Sequence, residues 1–479
     1  MKKSLSIILL SLVVSISAFS QKFSADQAKA DLKFTYDALK AAHPSLYRYT
    51  KEEEYNWVFD YIQRGIVDSI SKSELAEKVN LLLSTARCVH TSASNAFTVN
   101  SKHFFNFNFV VNNGNLYARN IKELRLIRDK DENSLSNSSV NNIITDTSLV
   151  KIVSINNIPS VEIISRMMML KSGDGYSSTF NEAVISRNFN SFFNVLYKVP
   201  VICSIEYETK SGNKKIPVER TLKYTAKSID YTWDNWSVSD SMHSAYLLKN
   251  KNYNSVNVLQ IKSFKKNYKE FYQRIFARME KDSVKKIVID LRANSGGNIY
   301  HAFELLNYLI EQDLSMYAER KKNLKLSPFL KAKGYSQLYM SGFMYDVYPS
   351  GQRWSEGGMK KYRYSFKSKK NKSYNPEVIV LIDGQSASSA SLLAAYLKFL
   401  TKAKFIGNET GGTFMGNNGR AFPEILLPNS NIKLKIPLYR ITYFPGVPDN
   451  GRGVIPDHFI DTRLGKKDQE AIFKRLFLD

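Results

Sequence analysis

Two cysteines, Cys88 and Cys203, in a chain of 479 residues exclude a disulfide framework, even in an oxidising compartment. Neither a CxxC nor an HExxH spacing occurs, and His90, two residues after Cys88, stands without either; the pattern predicts no metal site and no cofactor. Beyond the N-terminal segment no apolar run is long enough to cross a bilayer. Zinc-finger spacing is absent, so nucleic acid is not an expected partner despite a net charge of +24. Acidic residues are outnumbered, 44 against 68 Lys and Arg. The excess lies in runs such as Lys214-Lys215, Lys265-Lys266 and Arg320-Lys321-Lys322, which read as solvated loops or as surface for anionic partners. No internal repeat is present. Hydrophobic residues (43%) and aromatics (13%) suffice for packed cores, which excludes disorder over most of the chain.

What is there begins with MKKSLSIILLSLVVSISAFSQ: two lysines, a short apolar run and small residues at the end, the pattern of a secretory signal peptide cut near Gln21. The mature chain is expected to be exported, periplasmic or secreted. Residues 1–20 are this signal, and 21–95 form a helical region, with apolar periodicity over 25–42, 52–67 and 73–85 and a Ser71/Glu74 capping pattern before the third. Residues 96–230 form a small β-rich module with helices inserted at 161–170 and 179–196. Residues 231–479 alternate strands and helices, predicting an α/β core with a largely parallel sheet, interrupted by a basic, aromatic-rich insertion over 313–374.

Two segments of this core carry chemistry. In VIVLIDGQSASSASLLAAYLKFL (378–400) a buried strand runs through a turn into a helix that opens on small residues. A serine there is exposed beside unpaired backbone N–H groups at the positive end of the helix dipole, the layout of an acyl-transfer nucleophile; a serine-rich helix cap has the same pattern. In Asp290-Leu-Arg-Ala-Asn-Ser-Gly-Gly297 a second strand ends in a glycine turn that exposes amides at the mouth of the sheet.

KKIVIDLRANSGGN, followed later by VIVLIDGQSASSAS and finally by GRGVIPDHFID, resembles the C-terminal-processing (tail-specific) serine peptidases, together with the tricorn protease core and interphotoreceptor retinoid-binding protein. LLLSTARCVHTS (81–92) is similar to the family's upstream Asp-Gly-His-Thr segment, and VKIVSINNIPSVEI (150–163) looks like the PDZ-type segment of many members. The resemblance implies a crotonase/Clp-like α/β core with an N-terminal helical region and a PDZ-like module over 96–230. It implies an exported serine peptidase that hydrolyses proteins or peptides, engaged by their C-termini if the PDZ-like module binds free ends. The nucleophile it implies is Ser388, with Ser386 and Ser391 as alternatives, and the oxyanion hole is the amides of Gly297 and Ser389.

The family's catalytic lysine has no counterpart. Its position falls near Thr413, and no lysine occurs from Phe405 to Asn418. Lys398, Lys402 and Lys404 lie roughly 15 Å or more from Ser388 at a helical rise of about 1.5 Å per residue. This places the chain closer to the tricorn-core and retinoid-binding branch, which implies His90 as general base and Asp449, or the adjacent Asn450, as the residue that orients it. A non-catalytic binding protein on the same fold is the alternative, motivated by the missing lysine and by Cys88-Val89 in place of Asp-Gly.

Overall fold

The structure, a computed structural model, describes residues 22–94, 97, 101–119, 149–222, 238–240, 243–250, 253–322, 329, 351–371, 374–460, 472 and 474–476. The expected signal peptide and the middle of the 313–374 insertion lie outside these residues.

A seven-stranded sheet forms the centre, in the order Val238–Asp240, His243–Asn250, Tyr253–Ile261, Lys286–Asp290, Glu377–Ile382, Lys404–Gly407 and His458–Phe459. The first two pairings are antiparallel and the remainder parallel. Parallel strands are covered on both faces, which is why Ile287, Val288 and Ile289 on one strand and Val380, Leu381 and Ile382 on its neighbour are all buried without alternation. The helices Ile299–Leu306 and Ser389–Leu400 follow these two central strands and pack against each other.

The insertion is a sheet component. Leu314–Lys321, Gly351–Glu356 and Met359–Phe366 join Tyr439–Thr442 and Gly416–Gly419 in a five-stranded antiparallel sheet beside the core.

The three N-terminal helices form where periodicity predicts them, at Ala25–Ala42, Glu52–Arg64 and Lys72–Thr85; Ser24 and Ser71 close complete capping boxes with Gln27 and Glu74. They share one hydrophobic core with the α/β region, in which Leu32, Leu39, Leu75 and Leu83 join Leu259, Ile289 and Leu393. Buried Asp31 fastens the first helix to the far end of the chain, accepting from the amides of Asn429 (2.9 Å) and Ser430 (2.8 Å). The strand Ser92–Ser94 completes a small sheet with Glu424–Leu426 and Lys433–Lys435. These attachments carry the segment before Ser92 to the C-terminal edge of the central sheet.

Residues 101–222 hold a separate core. Antiparallel strands Asn108–Asn112, Asn115–Arg119, Val150–Ile155, Ile202–Thr209 and Gly212–Glu219 pack on the helices Ser160–Met169 and Thr179–Leu196 around Phe109, Phe189 and Phe193. No helix among the described residues is long and apolar enough to cross a membrane. Cys88 and Cys203 are both buried and unpaired.

Candidate active site

The turn after Glu377–Ile382 is fixed by hydrogen bonds that leave one serine available. Ser386 Oγ donates to the Leu291 carbonyl (2.8 Å), tying the turn to the neighbouring strand end, and Ser391 Oγ donates to the Ser388 carbonyl (2.8 Å). Both alternative nucleophiles are therefore occupied structurally. Ser388 stands between them at φ 55° and ψ −121°, a conformation that costs a non-glycine residue about 1–3 kcal/mol. The Asn294 carbonyl accepts from Ala387 N (3.1 Å), and the Ser388 carbonyl accepts from Leu392 N (3.0 Å), so the neighbours hold it there. The result is a hydroxyl raised from the helix start into the cleft.

The glycine turn closes on it. Asn294 locks this turn, its Oδ1 accepting from Gly296 N (2.9 Å) and its Nδ2 donating to the Ile261 carbonyl (2.8 Å). Phe264 N donates to the Gly296 carbonyl and Asn298 N to the Phe264 carbonyl, so Gly297 turns its own amide and carbonyl the other way, where the carbonyl accepts from Ser389 Oγ (2.9 Å). Gly297 thus borders Ser389, the first residue of a twelve-residue helix whose dipole favours negative charge.

His90 reaches the same cleft from the N-terminal region, 298 residues away in sequence, and its Nε2 lies 3.2 Å from Ser388 Oγ. The ring stacks on Phe422 with centroids 5.4 Å apart. A turn closed by Thr91 N to the Cys88 carbonyl (3.0 Å), followed by the Ser92–Ser94 strand, presents it. Burial, with Lys435 and Lys171 nearby, pushes the imidazole down to about 4, so at neutral pH it is uncharged and able to accept a proton.

Asp449 does not come to His90. Its Oδ2 is held by Arg48, at 2.6 Å from NH2 and 2.7 Å from Nε, and by the Tyr49 hydroxyl at 3.0 Å, while Oδ1 accepts from Gly451 N (2.9 Å). Asn450 is exposed and accepts from Arg452 N (3.0 Å). A largely buried Arg48 needs a carboxylate to offset its charge, and it takes Asp449. His90 Nδ1 is buried without a hydrogen-bond partner.

The carboxylate that does approach His90 is Asp174, from the turn Ser172-Gly-Asp-Gly175. One of its oxygens, a ring nitrogen of His90 and Cys88 Sγ all lie within 4.8 Å of one another, the one such convergence of Cys, His and acidic donors among the described residues. Burial pushes the Cys88 thiol up to about 12 and leaves it neutral. Burial likewise pushes Asp174 up to about 7, against the opposing pull of the Val89 amide, Arg48 and Lys171. The folded chain therefore keeps a proton that the unfolded chain releases above its ordinary value of 3.8. Asp174 costs stability above pH 7, and the cost fades as pH falls towards 3.8. Asp174→Asn keeps an acceptor for the Val89 amide and carries no charge. It should stabilise the fold at pH 8 by about 1–3 kcal/mol, and by less at pH 5, in urea unfolding.

No lysine replaces the histidine at the expected position. Thr413 is buried there and donates its hydroxyl to the Gly416 carbonyl. Lys398 pairs with Asp457 and Lys404 with Glu377 (3.1 Å). The cleft has a volume of about 760 Å³; its lining includes Lys265, Arg420 and Lys435 beside His90 and Ser388, and, among the described residues, no carboxylate.

Residues 255–459 match the model of Peptidase family S41. Among solved structures, mature CPAF is similar over 94% of this chain and 96% of its own, at 13% identity and a TM-score of 0.60. Mature CPAF complexed with lactacystin gives the same identity and score over 95% and 98%. The photosystem II D1 C-terminal processing protease is similar over 94% and 97% at 12% identity, with a TM-score of 0.41. No curated protein matches significantly. The mixed α/β fold is that of the S41 peptidases, and the core is that of a serine-type peptidase.

Proposed function

We propose that this chain, which carries a Peptidase family S41 domain over residues 255–459, is an exported hydrolase that cleaves peptide bonds by a serine–histidine mechanism. The observation that carries the reading is the 3.2 Å approach of His90 Nε2 to Ser388 Oγ. His90 Nε2 takes the hydroxyl proton as Ser388 Oγ bonds to the carbonyl carbon, and the carbonyl π electrons move onto oxygen. The amides of Gly297 and Ser389 receive that oxyanion. The imidazolium then passes its Nε2 proton to the departing amine as the C–N bond breaks, and water repeats the sequence to release the acyl group. A cleft lined, among the described residues, by three cations and no carboxylate suits protein or peptide segments with acidic side chains near the cleaved bond. Capture of free C-termini by the β-rich module at 96–230 belongs to the same proposal.

The test is covalent labelling of the intact protein by a fluorophosphonate probe. Wild type should label at one site and Ser388→Ala should lose the label entirely. Equal labelling of the two proteins would remove Ser388 as the nucleophile and favour a binding protein on this fold.

A further inference from the structure

We infer that Asp174 is the residue that orients His90, accepting the Nδ1–H of the ring and so reserving Nε2 for the serine proton. The inference rests on the peptidase reading of Ser388 and His90.

His90 and Asp174 each hold a buried polar atom with no hydrogen-bond partner, the unused half of a group whose other half is engaged. His90 Nε2 faces Ser388, and Nδ1 is left over. Asp174 Oδ1 accepts from the Val89 amide at 2.7 Å, and Oδ2 is left over. Leaving either atom unpaired inside a protein costs about 1–3 kcal/mol, and joining them removes both penalties. A ring nitrogen and a carboxylate oxygen already lie within 4.8 Å. Closing that gap to ~2.8 Å is a tightening of the kind unliganded sites undergo when substrate fills the cleft.

The backbone holds the two groups in register. Cys88 N donates to Ser172 Oγ (3.1 Å), Val89 N to Asp174 Oδ1, and Gly175 N to the Arg87 carbonyl (3.1 Å), so residues 87–89 and 172–175 run together on either side of the pair. Gly175 sits at φ +64°, where an added Cβ would lie 2.1 Å from the Gly451 carbonyl; only glycine lets this turn lie so close to the closing segment of the chain. Tyr176 N donates to that same carbonyl (2.8 Å). The turn is thereby pinned between the histidine loop and the segment that the sequence had suggested as the source of the acid.

A carboxylate is what this position requires. When Nε2 takes the serine proton, a buried imidazolium forms with Lys171 and Lys435 nearby, and an anion on its far side offsets both. Arg48 and Lys171 are the cations near Asp174; Cys88 and Tyr443 are neutral neighbours raised by burial. Asp174 reaches no reacting atom and acts through the ring, as a positioning residue.

The intact protein, labelled with ¹⁵N at histidine, tests this at pH 8, where Asp174 is ionised, with the His90 signals identified by their absence in His90→Gln. Wild type should show the proton on Nδ1; Asp174→Asn should shift it towards Nε2. Fluorophosphonate labelling of Ser388 should fall at least ~10²-fold in Asp174→Asn, and Asp174→Glu should recover part of the loss together with the wild-type tautomer. An Asp174→Asn protein that keeps both tautomer and labelling rate would overturn the inference. So would one that unfolds, since a carboxylate held for catalysis does not support the fold. If Ser388→Ala labels like wild type, the peptidase reading itself fails. If Ser388→Ala is silent while Asp174→Asn behaves as wild type, only the role of Asp174 is lost.

Discussion

His90→Gln should slow acylation of Ser388 by roughly 10⁴-fold or more, with little change in the unfolding midpoint. The size follows from the absence of a substitute. Lys398 and Lys404 are paired with Asp457 and Glu377 at the far side of the nucleophile helix, and Thr413 holds the position where a lysine base would stand. His301 also borders this region, but its Nδ1 is engaged with the Phe264 carbonyl at 2.9 Å. Without the imidazole, the Ser388 proton has only water to accept it. Glutamine preserves most of the ring's volume against Phe422, so the fold loses little beyond one stacking contact. Single-turnover labelling across a series of probe concentrations separates a loss in the chemical step from a loss in probe binding. A variant that labels at the wild-type rate would transfer the base to another group, of which Lys435, lining the cleft with its Nζ 4.7 Å from the Phe422 ring, is the nearest to hand.

Gly296→Ala should cost activity and stability together. Gly296 has φ +93°, and an added Cβ would stand 2.7 Å from Ser388 Cβ and 2.8 Å from both the Ala387 carbonyl oxygen and the Ser389 amide nitrogen. All three neighbours belong to the strained turn that presents the nucleophile, and none is the end of a flexible side chain. The backbone must yield, which displaces the hydroxyl and at least one oxyanion donor. Loss of one such donor is worth about 10²–10³ in rate, and the forced backbone about 1–3 kcal/mol in stability. Labelling rate and urea midpoint should therefore fall in the same variant. Gly114→Ala provides the contrast: its φ is +73° with nothing within 4 Å of the added carbon, so it should lose stability and keep the wild-type labelling rate. A Gly296→Ala protein that behaves like Gly114→Ala would mean that the glycine turn is not part of the reaction site.

The features legible in the sequence are those that local pattern determines. Helix periodicity predicted the three N-terminal helices nearly to their ends, and Ser71 and Glu74 marked the start of the third, because a capping box is complete within four residues. The apolar strand, turn and small-residue helix marked the serine run for the same reason, while Ser388 within it came from the family resemblance alone. What failed was non-local. Asp449 was expected beside His90, but Arg48, 401 residues distant in sequence, claims its carboxylate. Asp174 was missed because Ser-Gly-Asp-Gly reads only as a turn, and nothing in it tells which loop it will meet. An acidic residue between two glycines, able to approach another backbone closely, was the available signal. The basic, aromatic-rich composition of 313–374 reads as an insertion; its tie to the core, Leu314–Lys321 pairing with Tyr439–Thr442, lies far along the chain and leaves no local trace.

The pairing of Ser92–Ser94 with Lys433–Lys435 also has a consequence for the order of events during synthesis. The ribosome makes the histidine loop early, the serine turn much later, and the strand that brings the loop to its final place later still. A chain stopped between Leu400 and Lys433 holds both His90 and Ser388 but lacks the strand that pairs with Ser92–Ser94. The juxtaposition of His90 and Ser388 is therefore a late event, set by a strand made after both of them.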